Sequence, residues 1–255
     1  MTPKGAIYPS LKGKTVLVTG GGSGIGDSIV RAYAEQGAKV GFLDFDKEAS
    51  LKLQTELRNA GAAVHFEFVD LRDIPALQTA IDAVRGALGP INILINNAAR
   101  DDRHKTEDVT EAFFDERIAT NLKHQFFASQ AVLPDMKAAG GGSIVLMGST
   151  SWMLGMGGMA VYTTAKSAIQ GLTRSLARDF GKFGIRVNGV APGWVMTQRQ
   201  IDLWLTDESE KQLMELQCIK RRLVPDDISS FVTFLGSDEA SVMTNQHYVI
   251  DGGWL

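Results

Sequence analysis

The sequence predicts an α/β fold in which helices cover both faces of one doubly wound parallel sheet, and three observations carry that expectation. Seven short apolar runs alternate with longer amphipathic stretches across the 255 residues. The runs lack polar alternation, as in Ile144-Val145-Leu146-Met147, which marks strands buried on both faces. A glycine-rich turn joins the first run directly to the first helical pattern.

Strands are expected at 15–20, 39–44, 63–69, 91–96, 142–148, 185–191 and 246–250, with helices at about 24–36, 47–60, 73–87, 110–138, 160–180 and 226–236. The first strand, Val16-Leu17-Val18, runs into Thr19-Gly20-Gly21-Gly22-Ser23-Gly24-Ile25-Gly26. Such a turn brings backbone N–H groups and a helix N-terminus up to a pyrophosphate, so Gly20, Gly22, Ser23, Gly24, Ile25 and Gly26 are candidate cofactor contacts. Their spacing is not G-x-G-x-x-G, and the motif alone is weak. The following helix places Ile25, Ile29, Ala32 and Tyr33 on one face and stops at Gln36-Gly37.

The second strand ends at Asp44, 24 positions beyond Gly20. A carboxylate there accepts hydrogen bonds from an adenosine ribose and repels a 2′-phosphate, which predicts NAD over NADP. The alternative is that Asp44 caps the helix beginning near Asp46. Asp70-Leu71 closes the third strand, Asn96-Asn97-Ala98-Ala99 the fourth and Gly148-Ser149 the fifth. Small residues such as Ala98 beside Asn97 let the chain pass close to a flat cofactor. After the sixth strand, Pro192-Gly193-Trp194-Val195-Met196-Thr197 offers backbone groups and a hydroxyl suited to a nicotinamide amide. Residues 194–225 break the alternation, and a helical insertion there is either a lid or an oligomer contact.

Tyr162 and Lys166 are four apart in an expected helix and share a face. An ammonium fixed about 6 Å from a phenolate stabilises it by roughly 3 kcal/mol at an effective dielectric of 20, about two pKa units. The pair is therefore expected to make a phenol acidic enough for proton transfer, with the Ser149 hydroxyl at the sheet's carboxyl edge beside it.

A net charge of −3 argues against a nucleic-acid or anionic-membrane surface. Cys218 is the only cysteine, which fits a reducing compartment, and no apolar run is long enough to span a membrane. A cytoplasmic location is the resulting expectation. The four histidines show no metal-ligand spacing, so no metal is expected.

These residues together resemble the short-chain dehydrogenase/reductases over essentially the whole chain, through Thr19 to Gly26, Asp44, Asp70, Asn96 to Ala98, Asn121, Ser149, Tyr162, Lys166 and Pro192-Gly193. Ala99 departs from the pattern, where glycine is usual. The resemblance implies one Rossmann-type domain over 1–255 and a homotetramer, with the end Asp251-Gly252-Gly253-Trp254-Leu255 offering apolar residues for a subunit contact. It further implies that Tyr162 is the general base, Ser149 holds the reacting oxygen, Lys166 binds the nicotinamide ribose and lowers the tyrosine pKa, and Asn121 holds a relay water. Asp70, Leu71, Asn97, Ala98, Pro192, Gly193, Val195 and Thr197 would complete the NAD site. Oxidation would then slow below about pH 7.

Within that family, Ala6 to Lys14, Asp101-Asp102-Arg103-His104-Lys105, Asp115 to Ile118, Gly148 to Trp152 and Gln217-Cys218 are similar to bacterial NAD-dependent D-xylose (aldose) 1-dehydrogenases. This implies oxidation of an aldopyranose at its anomeric carbon to the aldonolactone. Asn97, Arg103, His104, Ser149, Ser151, Trp152, Tyr162, Gln198 and Arg199 are the candidate sugar contacts. D-xylose, L-arabinose, D-galactose and L-fucose stay open as substrates. A ketoreductase acting on an acyl carrier and a non-catalytic NAD-binding regulator are the alternatives from other classes.

Overall fold

The computed structural model describes residues 5–255, so the first four residues of the expected domain lie outside it. A seven-stranded parallel sheet runs in the order β3-β2-β1-β4-β5-β6-β7. Its strands are β1 (Thr15–Thr19), β2 (Lys39–Asp44), β3 (Val64–Phe68), β4 (Ile93–Asn96), β5 (Gly142–Met147), β6 (Ile185–Pro192) and β7 (His247–Ile250). Chain direction across the sheet reverses between β1 and β4, which opens a crevice at the carboxyl ends of those strands.

Successive residues of a strand point to opposite faces, and β1 shows how two cores follow. Val16 and Val18 pack with Ile29, Tyr33, Val232 and Leu235 on one side. Leu17 packs with Leu77, Ile81, Leu146 and Ile169 on the other. The covering helices are α1 (Gly24–Glu35), α2 (Lys47–Asn59), α3 (Ile74–Leu88), α4 (Glu111–Ile118), α5 (His124–Ala138), α6 (Ala160–Phe180) and α9 (Pro225–Gly236). The insertion after β6 forms two short helices, α7 (Gln198–Trp204) and α8 (Asp207–Leu216).

One expected element differs. The helix expected at 110–138 is interrupted by a π-helical turn, Ala119–Lys123, between α4 and α5. Asn121 sits in that turn, fully buried. Its Nδ2 donates to the Arg117 carbonyl at 2.9 Å, taking an acceptor on which an α-helical ladder would draw, and its Oδ1 accepts from the Arg100 N–H at 2.9 Å. Among the described residues no helix is long and apolar enough to cross a membrane.

Candidate active site

A cleft of about 820 Å³ runs along the carboxyl edge of the sheet from Asp44 to Tyr162 and on beneath α7 and α8. Its first wall is the glycine turn. Gly20 has φ +66°, and a Cβ there would stand 2.7 Å from the Ala98 Cα. A Cβ on Gly26 would lie 1.7 Å from the Gly20 carbonyl oxygen, so only glycine lets α1 begin this close to β1. Ser23 opens α1 in extended conformation without capping it through its side chain. The first residues of α1, Gly24, Ile25 and Gly26, line the cleft with Ser23, and their N–H groups have no acceptor within the helix.

Asp44 is buried, and its carboxylate is held at both oxygens. It accepts from the Gly22 N–H at 2.8 Å and the Asp46 N–H at 2.9 Å. The helix-cap alternative fails, because Asp46 itself accepts from the Ala49 N–H and caps α2. Asp44 is left as a fixed negative charge on the cleft wall. An uncapped helix N-terminus, a glycine cradle that a methyl group would fill and a fixed carboxylate fit a dinucleotide.

The second wall carries the candidate proton-transfer residues. Ser149 follows β5, while Tyr162 and Lys166 lie one turn apart in α6 and all three line the cleft. Lys166 is 1% exposed, its Nζ donates to the Met147 carbonyl at 2.7 Å, and it lies 5.7 Å from the centre of the Tyr162 ring. Burial drives the amine down to about 7, against the pull of Asp101.

The expected acidification of Tyr162 is not the net result. Burial pushes the phenol above its ordinary range and the Asp101 carboxylate reinforces this, outweighing the Ser149 hydrogen bond and the Arg103 guanidinium. A lysine at about 7 is only partly charged near neutrality, so its field on the phenol is weaker than a permanent cation's.

Most of the expected residues come together. Gly20, Ser23, Gly24, Ile25, Gly26, Leu71, Asn97, Ala98, Pro192, Gly193, Val195 and Thr197 line the cleft with Asp44, and so do Arg103, Ser151, Gln198 and Arg199. Six residues are placed otherwise. Gly22 lies behind the wall, its N–H spent on Asp44. Asp70 is exposed and turned to Arg72, whose guanidinium it binds at 2.6 Å. Asn97 is at the wall, but its amide donates to the Thr19 and Gly20 carbonyls, which braces the glycine turn and leaves no donor for a sugar. Asn121 has both side-chain atoms occupied by backbone, so a relay water would have to use its carbonyl. His104 and Trp152 do not line the cleft. His104 is engaged with Val161 and Asp102.

Sequence reasoning missed Asp101, which enters the cleft and is held by Gln200 at 2.9 Å. Its signal was position, two residues past the small run at the end of β4. Trp254, in the segment expected to offer a subunit contact, lines the cleft, as do Trp194 and Trp204. The tail is folded back by Asp251, which accepts from Gly253 and Leu255 N–H groups, and by Cys218 and Ile219, which donate to Gly253 and Gly252 carbonyls.

A smaller cavity of about 330 Å³ at the amino edge of the sheet, with Lys14, Arg186 and Asp238 in its wall, is remote from these residues. Among the described residues no group of three or more His, Cys, Asp or Glu is arranged to hold a metal ion.

Comparison with known proteins agrees with this geometry. A family model described as enoyl-(acyl carrier protein) reductase matches residues 20–255. D-xylose 1-dehydrogenase of Caulobacter vibrioides is 48% identical over 249 residues, 98% of each chain. A Rhizobium meliloti protein named probable galactose dehydrogenase is 48% identical over 254 residues, 99% of each chain. The solved structure of a Serratia marcescens short-chain dehydrogenase/reductase mutant superposes with a TM-score of 0.89 at 35% identity, covering 96% of this chain and 99% of that one. With its parallel sheet, glycine turn and Ser149, Tyr162 and Lys166 at one cleft, the chain belongs to the short-chain dehydrogenase/reductase family and is a nicotinamide-dependent oxidoreductase.

Proposed function

We propose that the protein is an NAD-dependent aldose 1-dehydrogenase that oxidises C1 of an aldopyranose, D-xylose or a similar sugar, to the aldonolactone. The observation that carries this is the continuity of one cleft from Asp44, past the glycine turn, to Ser149 and Tyr162, with a polar chamber beyond. Arg103, Ser151 and Trp204 line that chamber, each with a buried side-chain N or O that has no partner among the described residues, and Asp101 supplies a carboxylate. Orphaned donors beside an acceptor suit a substrate with several hydroxyls, and Trp194, Trp204 and Trp254 supply apolar faces for its C–H surface. The two sugar dehydrogenases at 48% identity support the same reading.

In this proposal the N-terminus of α1, Ser23 and Gly24 hold the pyrophosphate, and Asp44 holds the adenosine ribose and repels a 2′-phosphate. Leu71, Ala98, Pro192, Gly193, Val195 and Thr197 bound the rest of the cofactor. When bound, NAD supplies the hydride acceptor at nicotinamide C4 and a positive ring charge beside the phenol. Ser149 orients the sugar O1. Tyr162, as phenolate, takes the O1 proton while the C1–H electron pair leaves and C1=O forms. Lys166 orients the nicotinamide ribose and supports the phenolate, and the proton passes outward through a water held at the Asn121 backbone carbonyl, which also accepts from Gln125. The chain acts as a single domain in a cytoplasmic homotetramer, with 194–225 as a lid: Arg199 binds Asp102 at 2.7 Å and Gln200 binds Asp101, tying α7 to the loop after β4.

The description of the matching family model favours a second reading, a reductase of carrier-linked acyl groups. One experiment separates the two: initial rates for a panel of aldoses with NAD and with NADP, against a 3-oxoacyl thioester assayed in reverse. Aldose oxidation preferring NAD supports the proposal. Thioester reduction without aldose oxidation replaces it.

A further inference from the structure

We infer that His104 is a positioning residue that sets the first turn of α6 and, through it, the place of Tyr162. The first N–H groups of a helix have no partner within it, and a side chain at the N-cap usually accepts from them. The N-cap of α6 is Met159, whose side chain makes no such bond. The acceptor comes instead from a loop 57 residues earlier: His104 Nε2 takes the Val161 N–H at 3.2 Å.

Two further contacts fix the ring. The His104 backbone N–H donates to the Gly158 carbonyl at 2.8 Å, so the loop grips the chain on both sides of the helix start. With Nε2 accepting, Nδ1 carries the ring proton and faces the Asp102 carbonyl at 3.1 Å. Phe113 meets the ring edge-on at 5.0 Å between centroids. Val161 immediately precedes Tyr162, so an unbound Val161 N–H loosens the turn that aims the phenol. Displacing a reacting group by about 1 Å costs on the order of a hundredfold in rate. His104 itself does not line the cleft, which separates this role from substrate contact.

The inference rests on the proposed role of Tyr162, and its test has an arm that does not. Two variants are compared with wild type: His104→Phe, which keeps an aromatic ring against Phe113 but has no acceptor, and His104→Gln, which restores one. Hydrogen exchange at the Val161 amide and steady-state kinetics with NAD and the best aldose are both measured. The expected result is at least tenfold faster exchange and at least a tenfold lower kcat in the Phe variant, a KM for NAD within twofold of wild type, and recovery of both losses in the Gln variant. Unchanged exchange or unchanged kcat in the Phe variant overturns the inference, as does a Gln variant no better than Phe. If the Phe variant does not fold, the Gln variant decides: protection and kcat near wild type support the role, and loss of either refutes it. If wild type oxidises no aldose, the functional proposal fails, and the exchange arm still decides whether His104 caps α6.

Discussion

The Lys166 ammonium lies 5.7 Å from the centre of the Tyr162 ring and is anchored by the Met147 carbonyl rather than by a carboxylate. That distance keeps the cation close enough to act on a phenolate, while burial makes the charge costly to keep. The role proposed for Lys166 and the stability of the fold are thus opposed in one side chain.

The rate of oxidation should rise with pH from 6 to 9. The proposed base must be deprotonated, and burial with Asp101 holds the phenol above its ordinary range, so its reactive fraction grows with pH across that interval. Initial rates at saturating NAD and sugar check this. A flat profile would remove Tyr162 from the rate-determining proton transfer.

Lys166→Met should abolish activity and yet stabilise the fold at pH 6. The amine titrates near 7 when folded and near its ordinary 10.5 when unfolded. Between those values the unfolded chain holds the extra proton, so wild-type stability rises with pH by up to about 1.4 kcal/mol per unit, and below 7 the full penalty of the buried charge remains. Urea unfolding of both proteins at pH 6 and pH 9 should show the variant's advantage shrinking. An advantage that grows with pH would mean the buried amine is not the source.

Gly26→Ala should cost about 1–3 kcal/mol and lose dinucleotide binding, because its Cβ would lie 1.7 Å from the Gly20 carbonyl. Calorimetric titration with NAD and a thermal melt are the measurements. A variant binding NAD normally would show that the glycine turn is not the pyrophosphate cradle.

Asp44→Asn can still accept from Gly22 through its one carbonyl oxygen but turns an NH2 toward the Asp46 N–H and removes the charge, and should raise the NADP-to-NAD ratio of kcat/KM at least tenfold, since like charges brought together cost several kcal/mol. An unchanged ratio would locate cofactor discrimination elsewhere.

The seven strands are readable to within two residues, because burial on both faces writes a continuous apolar run and each run ends at or next to a glycine, asparagine or aspartate. The glycine turn and the pair Tyr162 and Lys166 were equally legible, since local spacing determines them. Long-range contacts determine the rest. The π-helical turn depends on Asn121 bonding Arg100 from another segment. Asp70 is drawn off by Arg72, which Glu116 of α4 also holds, and Trp254 lies at the cleft where Cys218 and Ile219 hold the Gly253 and Gly252 carbonyls. The charge balance at Tyr162 is of the same kind: spacing reveals the lysine, but not the burial or Asp101.

The most direct measurement is the turnover of Tyr162→Phe on the best aldose, with NAD affinity determined by titration of the same protein. Loss of the phenol should lower kcat by about 10²–10⁴-fold while leaving NAD affinity within a few-fold of wild type. A variant that binds NAD and retains a tenth or more of wild-type kcat would contradict the assignment of Tyr162 as the base.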